Sequence, residues 1–108
     1  MSAATAGPTL AMAAALHVFL AQNPELSALP VSWTIDEREG ITASVRRHPG
    51  ADADVQAVAV ALGLEATRYV SVGKDGRRDR MTSAAGLLGS HKVFVHGWTL
   101  LPAEDGAE

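Results

Sequence analysis

The chain has 108 residues, a formal net charge of −3 and no cysteine. That length supports one domain with one modest core, and the lack of cysteine excludes disulfides, thiolate nucleophiles and cysteine-based zinc sites. The acidic balance gives no general attraction to nucleic acid or to an anionic membrane.

The N-terminal region predicts a disordered segment followed by a helix. Residues 1–7 (MSAATAG) are small and are expected to be flexible. Pro8 suits the first turn of a helix, because its missing N–H would be unpaired there anyway. Apolar residues then recur at three- and four-residue steps, which predicts an amphipathic helix over about 9–22. Asn23-Pro24 ends it, since proline disfavours the helical region for the residue before it.

The apolar run at 11–21 within this helix does not indicate a targeting or membrane segment. No Lys or Arg occurs before Arg38, so the basic region of a signal peptide is missing. The run is also shorter than the roughly 20 apolar residues that a membrane span needs. We therefore expect a soluble, cytoplasmic protein without membrane contact.

Two short alternating segments predict a β-hairpin. Residues 31–36 (VSWTID) alternate apolar and polar side chains, and residues 41–47 (ITASVRR) do the same. Between them lies EREG, whose Gly40 can adopt the left-handed backbone that a short hairpin loop needs.

A second helix is predicted over about 52–63. The sequence HPG at 48–50 breaks the preceding strand. Asp52 or Asp54 is expected to cap the N-terminus of this helix, and Gly63 to end it. The two acids lie about 200° apart around the helix, so they cannot act as a carboxylate pair.

Two further strands are predicted over 68–72 (RYVSV) and 92–101 (KVFVHGWTLL). Both faces of the last segment are apolar, which is typical of a central strand. Residues 102–108 (PAEDGAE) are expected to form a flexible acidic tail after a single domain over 8–101.

The order helix, strand, strand, helix, strand, strand predicts an α+β domain. We expect two α-β-β units that form a four-stranded, mostly antiparallel sheet with both helices on one face. A right-handed crossover through the second helix would make the second and third strands parallel. This topology is a circular permutation of the ferredoxin-like arrangement, a likeness of fold that implies no activity.

The stretch GKDGRRDRMTSAAGLLGS at 73–90 is predicted to be a loop between the last two strands. The surrounding segment 68–92 holds six basic and two acidic side chains, so it carries +4 while the rest of the chain carries −7. Four basic residues of loop 74–80 are candidates for contact with phosphates or an acidic partner protein: Lys74, Arg77, Arg78 and Arg80. The plainer interpretation is a solvated loop.

The second half of the stretch, 81–90, is apolar for a loop. One interpretation is a lid or docking segment that orders on binding. The other is a short helical turn that closes the end of the core, because long loops in compact domains are either functional or locally structured.

The last strand also predicts an aromatic face on the sheet. If Val93 and Val95 face the helices, the opposite face carries Tyr69, Phe94, His96 and Trp98. Such a face is expected to pack against a second copy or another protein, or to stack the bases of single-stranded nucleic acid. The reverse register would place Phe94 and Trp98 in the core instead.

No motif for catalysis, metal or cofactor binding is recognisable. The histidines lack the spacing of metal ligands, the serines lie in no G-x-S-x-G elbow, and the glycines fit no phosphate-binding loop. We therefore expect no cofactor, no metal and no catalytic residue. The sequence favours a small non-catalytic protein-interaction or regulatory module that is homodimeric. Nucleic-acid binding through loop 74–80 is the alternative.

Overall fold

The structure, a computed structural model, describes residues 2–101, with side chains described from Thr9 onward. These residues form two α-helices, a short 3-10 helix and five strands. In chain order the elements are α1 (Ser2–Gln22), the 3-10 helix (Pro24–Ala28), β1 (Val31–Asp36), β2 (Gly40–Val45), α2 (Ala51–Leu62), β3 (Thr67–Val72), β4 (Arg78–Leu88) and β5 (His91–Leu100). The predicted acidic tail at 102–108 lies outside the described residues.

The five strands form one mixed sheet in the order β1-β2-β5-β4-β3. β2 and β5 are parallel, and every other neighbouring pair is antiparallel. The prediction of a small α+β domain is therefore confirmed. The sheet has five strands rather than four, however, and the permuted ferredoxin-like arrangement is not confirmed, because an extra strand interrupts the second α-β-β unit.

That extra strand is β4, and the prediction of a loop over 73–90 is wrong. Only 73–77 and 89–90 form turns, and β4 lies between them, paired with β3 over 78–83 and with β5 over 79–88. Neither the predicted lid nor the helical turn at 81–90 is present. Thr82, Ala84 and Gly86 all lie on the face that α2 covers, because residues spaced by two in a strand share a face. A Cβ on Gly86 would collide with the side chain of Leu64, so close packing explains the small residues that resembled a loop.

The pairing of β4 can be tested at two adjacent positions. Gly86→Val should lower the free energy of unfolding by about 1–2 kcal/mol, because the new side chain would overpack against Leu64. Ala85→Val, on the exposed opposite face, should change it by no more than about 0.5 kcal/mol. Urea denaturation of both variants would measure the difference. Equal effects would contradict the assigned strand faces.

Both helices cover the same face of the sheet. α2 packs over β5, β4 and β2, while Phe19 of α1 meets Trp33 of β1 edge to face, with ring centroids 6.2 Å apart. The helix-facing side chains of β2 and β5 are fully or nearly fully buried and form the centre of the core: Ile41, Ala43, Val45, Val93 and Val95. This core fixes which way each strand faces, and therefore what the other face of the sheet carries.

The helix boundaries follow the predicted signals in part. α1 includes residues 2–7, which we expected to precede it. α2 ends as predicted, with Gly63 at φ 75° and a hydrogen bond from the Leu64 N–H to the Ala59 carbonyl at 2.8 Å. Its start differs: Gly50 occupies the cap position, and no side chain caps the helix. The Asp52 and Asp54 carboxylates instead accept hydrogen bonds from other side chains.

Candidate functional site

The open face of the sheet, defined as the face away from both helices, is the first candidate site. The strand register places Tyr69, Met81 and Trp98 side by side across β3, β4 and β5. Phe94 and His96 follow on the same face of β5, because they are spaced by two from Trp98. The four aromatic residues predicted from the sequence therefore share one surface.

The rings of the open face contact one another in pairs. Tyr69 and Trp98 meet edge to face with centroids 6.2 Å apart, and Phe94 and His96 stack with centroids 5.2 Å apart. Such pairs contribute about 0.5–1.5 kcal/mol beyond their area burial. The neighbouring rings therefore restrain one another before any partner binds.

Exposure decides the register that the sequence left open. Val93 is 2% exposed and Val95 is fully buried, whereas Phe94 is 38% and Tyr69 58% exposed. The alternative that places Phe94 and Trp98 in the core is therefore wrong. Trp98 lies on the open face as well and is half-buried there.

The β4–β5 part of the open face is mainly apolar but also carries Asp79, Ser83 and Lys92, and the β1–β2 part carries short hydroxyl side chains. Apolar residues of β4 and β5 extend the aromatic group: Met81, Ala85, Leu87 and Leu100. Met81, Ala85 and Leu87 were not predicted to lie on this face, because their segment resembles a loop in sequence. The β1 and β2 half carries short polar side chains: Ser32, Thr34, Thr42 and Ser44. The face thus places an apolar patch beside a row of hydrogen-bonding groups.

The four predicted basic residues are not brought together in one loop. Lys74 and Arg77 are exposed in the turn 73–77, which is closed by a hydrogen bond from the Gly73 N–H to the Arg77 carbonyl at 2.8 Å. Arg78 and Arg80 belong to β4, where they are half-buried and point to the helix-covered face. The prediction of one basic loop over 74–80 is therefore wrong, because β4 begins inside it.

A polar cluster around Asp52 joins α2 to the sheet. One carboxylate oxygen of Asp52 accepts hydrogen bonds from Arg68 Nε and from Thr82 Oγ1, each at 2.6 Å. The Asp52 backbone N–H, at the start of the helix, donates to Thr99 Oγ1 at 3.0 Å. One residue of α2 therefore contacts β3, β4 and β5.

The charge of Asp52 is stabilised within this cluster. The hydrogen bond from Arg68 is the main cause that holds the pKa of Asp52 below its ordinary value; burial acts in the opposite direction, and Thr82 and the charge of Arg80 lower the pKa further. The same contact raises the pKa of Arg68. Because its contacts come from β3, β4 and β5, the cluster holds the start of α2 against the sheet.

His48 and Asp54 form a second polar contact that resembles a catalytic dyad. His48 Nε2 lies 2.6 Å from Asp54 Oδ2, while the Gly50 backbone N–H donates to His48 Nδ1 at 3.1 Å. Because Nδ1 accepts, the hydrogen-bond network assigns the ring hydrogen to Nε2. Both nitrogens are therefore engaged, and His48 has no free lone pair to act as a general base.

A cleft of about 220 Å³ lies where the β1–β2 and β4–β5 turns approach α1. Its lining combines one methionine with polar and charged residues: Met12, Glu37, Arg38, Gly40, Ser90, His91 and Lys92. The cleft is smaller than the 300–1,000 Å³ typical of small-molecule sites. It is a weaker candidate than the open face.

Over the described range 2–101, no group of three or more histidine or acidic side chains is arranged to hold a metal ion. No helix within that range is long and apolar enough to cross a membrane. No protein-family model, no curated protein and no solved structure matches this chain.

Proposed function

We propose that the protein is a small, non-catalytic protein-interaction module that is homodimeric and binds its partner through the open face of the sheet. The observation that carries this proposal is the exposed aromatic patch around Tyr69 and Phe94, on a face that neither described helix covers. Exposed apolar patches of this kind are typical of sites that bind other proteins.

The arrangement of the patch supports protein recognition. Aromatic side chains are enriched at the centres of protein interfaces, and polar groups at their rims. Here Phe94 and Trp98 lie on the central strand, and Thr42 and Ser44 lie on the neighbouring strand β2. Because the rings contact one another, binding costs little additional side-chain entropy.

The alternative of nucleic-acid binding has less support in this geometry. Single-strand binding combines stacking rings with basic groups along the same groove. Arg78 and Arg80 point to the helix-covered face, whereas Phe94 and Trp98 point away from it. Two of the four candidate basic side chains therefore lie on the opposite side of the sheet from the rings, and Lys92 is the one Lys or Arg of β3, β4 and β5 that shares the open face.

A photo-crosslinking amino acid at position 94 would test the proposal in the cells that produce the protein. A benzophenone side chain replacing Phe94 should give a discrete, protease-sensitive adduct, and Tyr69→Ser in the same chain should reduce its yield at least about fivefold. The same probe at Val60, which is 73% exposed on α2, should give none.

Three results would contradict the proposal. They are a nuclease-sensitive adduct, equal labelling from positions 94 and 60, and a yield that does not respond to Tyr69→Ser. The first would favour the nucleic-acid alternative. The other two would mean that the open face has no specific protein partner.

A further inference from the structure

β3 is an unprotected edge of the sheet. It is the last strand in the sheet order, and all six of its residues are exposed. Its pairing with β4 runs without a bulge. It contains no proline, glycine, lysine or acidic residue, although proteins commonly place such residues or bulges on edge strands to prevent further pairing. Its single charge, Arg68, is held by Asp52.

The hydrogen bonds around β4 determine which backbone groups of β3 point outward. The Leu101 N–H donates to the Arg78 carbonyl, so the Arg78 backbone faces β5 and not Val72. Bonded and non-bonded pairs alternate along an antiparallel ladder. Tyr69 and Ser71 therefore bond to β4, while the N–H and C=O groups of Arg68, Val70 and Val72 point away from the sheet.

We propose that β3 pairs antiparallel with β3 of a second copy, about a two-fold axis at Val70, so that two five-stranded sheets become one sheet of ten strands. This inference rests on the homodimer of the proposed function and assigns its interface. Of the symmetric registers that the outward groups allow, the one centred on Val70 pairs the largest part of the strand. It would form about six backbone hydrogen bonds between the copies.

The side chains suit this register. Val70 would lie opposite the partner's Val70, and Val72 opposite the aliphatic stem of the partner's Arg68, which would cover valines that are now 46% and 65% exposed. On the open face, Tyr69 would lie opposite the partner's Ser71. Within β3, the symmetric pairing thus brings apolar groups together and leaves no like charges directly opposed.

Charge complementarity favours a second copy as the occupant. In the same register, the turn 73–77 of one copy passes beside the segment that leads into β3 of the other. The turn carries Lys74 and Arg77 against one acid, Asp75, so it is net positive, and Glu65 of the opposite segment lies one residue from the position that faces Lys74. The contact is made twice by symmetry, so each copy supplies both the basic and the acidic partner.

Edge pairing leaves the open face free. A two-fold axis perpendicular to the sheet keeps both pairs of helices on one side and both aromatic patches on the other. The two patches then form one continuous surface, with Tyr69 of each copy near the axis. Sheet-to-sheet packing of two copies would instead bury this surface, so the two modes of dimerisation make opposite predictions.

Cysteine crosslinking gives a direct test of the register, because the chain has no native cysteine. Residues at a hydrogen-bonded antiparallel pair lie about 5.5 Å apart between Cα atoms, within disulfide range. Val70→Cys should therefore form a covalent dimer under mild oxidation. Val60→Cys on α2, where the native side chain is more exposed than that of Val70, should remain at least about tenfold less crosslinked. Equal crosslinking at both positions would overturn the proposal.

Sedimentation of edge variants tests the same interface without crosslinking. Val70→Pro removes an outward N–H that β4 does not use, so the monomer fold should persist by circular dichroism. The dimer dissociation constant should rise about a hundredfold or more. Val70→Lys gives an independent check, because it places two like charges across the axis, with Val60→Lys as its control.

Phe94→Ser separates the two modes of dimerisation. It should leave the dimer intact, while both Val70 variants dissociate it. A dimer that survives the Val70 variants and is lost in Phe94→Ser would assign the interface to the open face. A native protein that is monomeric at high micromolar concentration would overturn both the edge interface and the homodimer. The photo-crosslinking experiment at position 94 tests partner binding by the open face separately from the dimer.

Discussion

Gly40→Ala should lower the free energy of unfolding by about 3 kcal/mol or more, the largest effect we expect from a single methyl group in this protein. Gly40 has φ +89°, which costs other residues about 1–2 kcal/mol. A Cβ at this position would also collide with the backbone carbonyl oxygen of Lys92. That oxygen belongs to the central strand β5 and cannot move without disturbing the ladder, so overpacking adds about 1–3 kcal/mol.

Gly76→Ala is the matched control for this prediction. Gly76 has nearly the same backbone, with φ +85°, but a Cβ there would meet no atom within 4 Å. The free energy of unfolding of the control should therefore fall only by the cost of the backbone conformation, about 1 kcal/mol. Urea denaturation of both variants at neutral pH would isolate the collision with Lys92. If the two losses are equal, the close approach of β2 to β5 at this point is wrong.

Asp52→Asn should lower the free energy of unfolding by about 2 kcal/mol at neutral pH. The substitution preserves the shape of the side chain but removes the charge that Arg68 and Thr82 stabilise. Hydrogen bonds to charged groups contribute about 1.5–3 kcal/mol. Thr82 is fully buried, so its hydroxyl has no water to replace a weakened acceptor. Asp52 therefore contributes more than a surface ion pair would.

The effect of Asp52→Asn should depend on pH in a defined direction. The folded-state pKa of Asp52 lies below its ordinary value of 3.8, so its contribution is present above that value and is lost as the pH falls through the lowered pKa. The difference between native protein and variant should be largest near pH 7 and smaller at pH 3. Chemical denaturation at both pH values would measure it, with exposed Glu25→Gln as the control. A pH-independent difference would contradict the role of the ionised carboxylate.

The periodic elements of this fold were predictable because their patterns are local. Alternation predicted the β1–β2 hairpin, the three- and four-residue steps predicted α1, and the HPG break and Gly63 marked the two ends of α2. The dense apolar run of β5 correctly favoured a central strand. In each case the residues that carry the signal are the residues that form the element.

β4 was not predictable in the same way, because its small residues are required by packing against residues far away in sequence. Ala84 and Gly86 have low strand preference. They are small because α2 and Leu64 pack above them, and the strand is stabilised by ladders on both sides. A strand that is stabilised by two neighbouring strands can form from residues with low strand preference, so its own sequence predicts it only weakly.

The Asp52 cluster was missed for a related reason. Thr82 and Thr99 lie 30 and 47 residues from Asp52 in the chain, so nothing local links them. The sequence did suggest a capping role for Asp52, a common use of an acid in the first turn of a helix. The side chain instead turns to the sheet, and Gly50 takes the cap position. The aromatic face, by contrast, followed from local alternation, that of β5 for Phe94, His96 and Trp98 and that of β3 for Tyr69.

The position of β5 also constrains the order in which the chain can fold. β5 is the last of the described strands in sequence but the middle one in the sheet, and it joins two hairpins that have no strand contact without it. Pairing of Ile41 with Val93 closes a loop of roughly half the chain, which is a slow step. On the ribosome, a nascent chain that lacks β5 presents two unpaired inner strands. We therefore expect the nascent domain to gain its stability only when its final strand emerges, with chaperones protecting those inner strands until then.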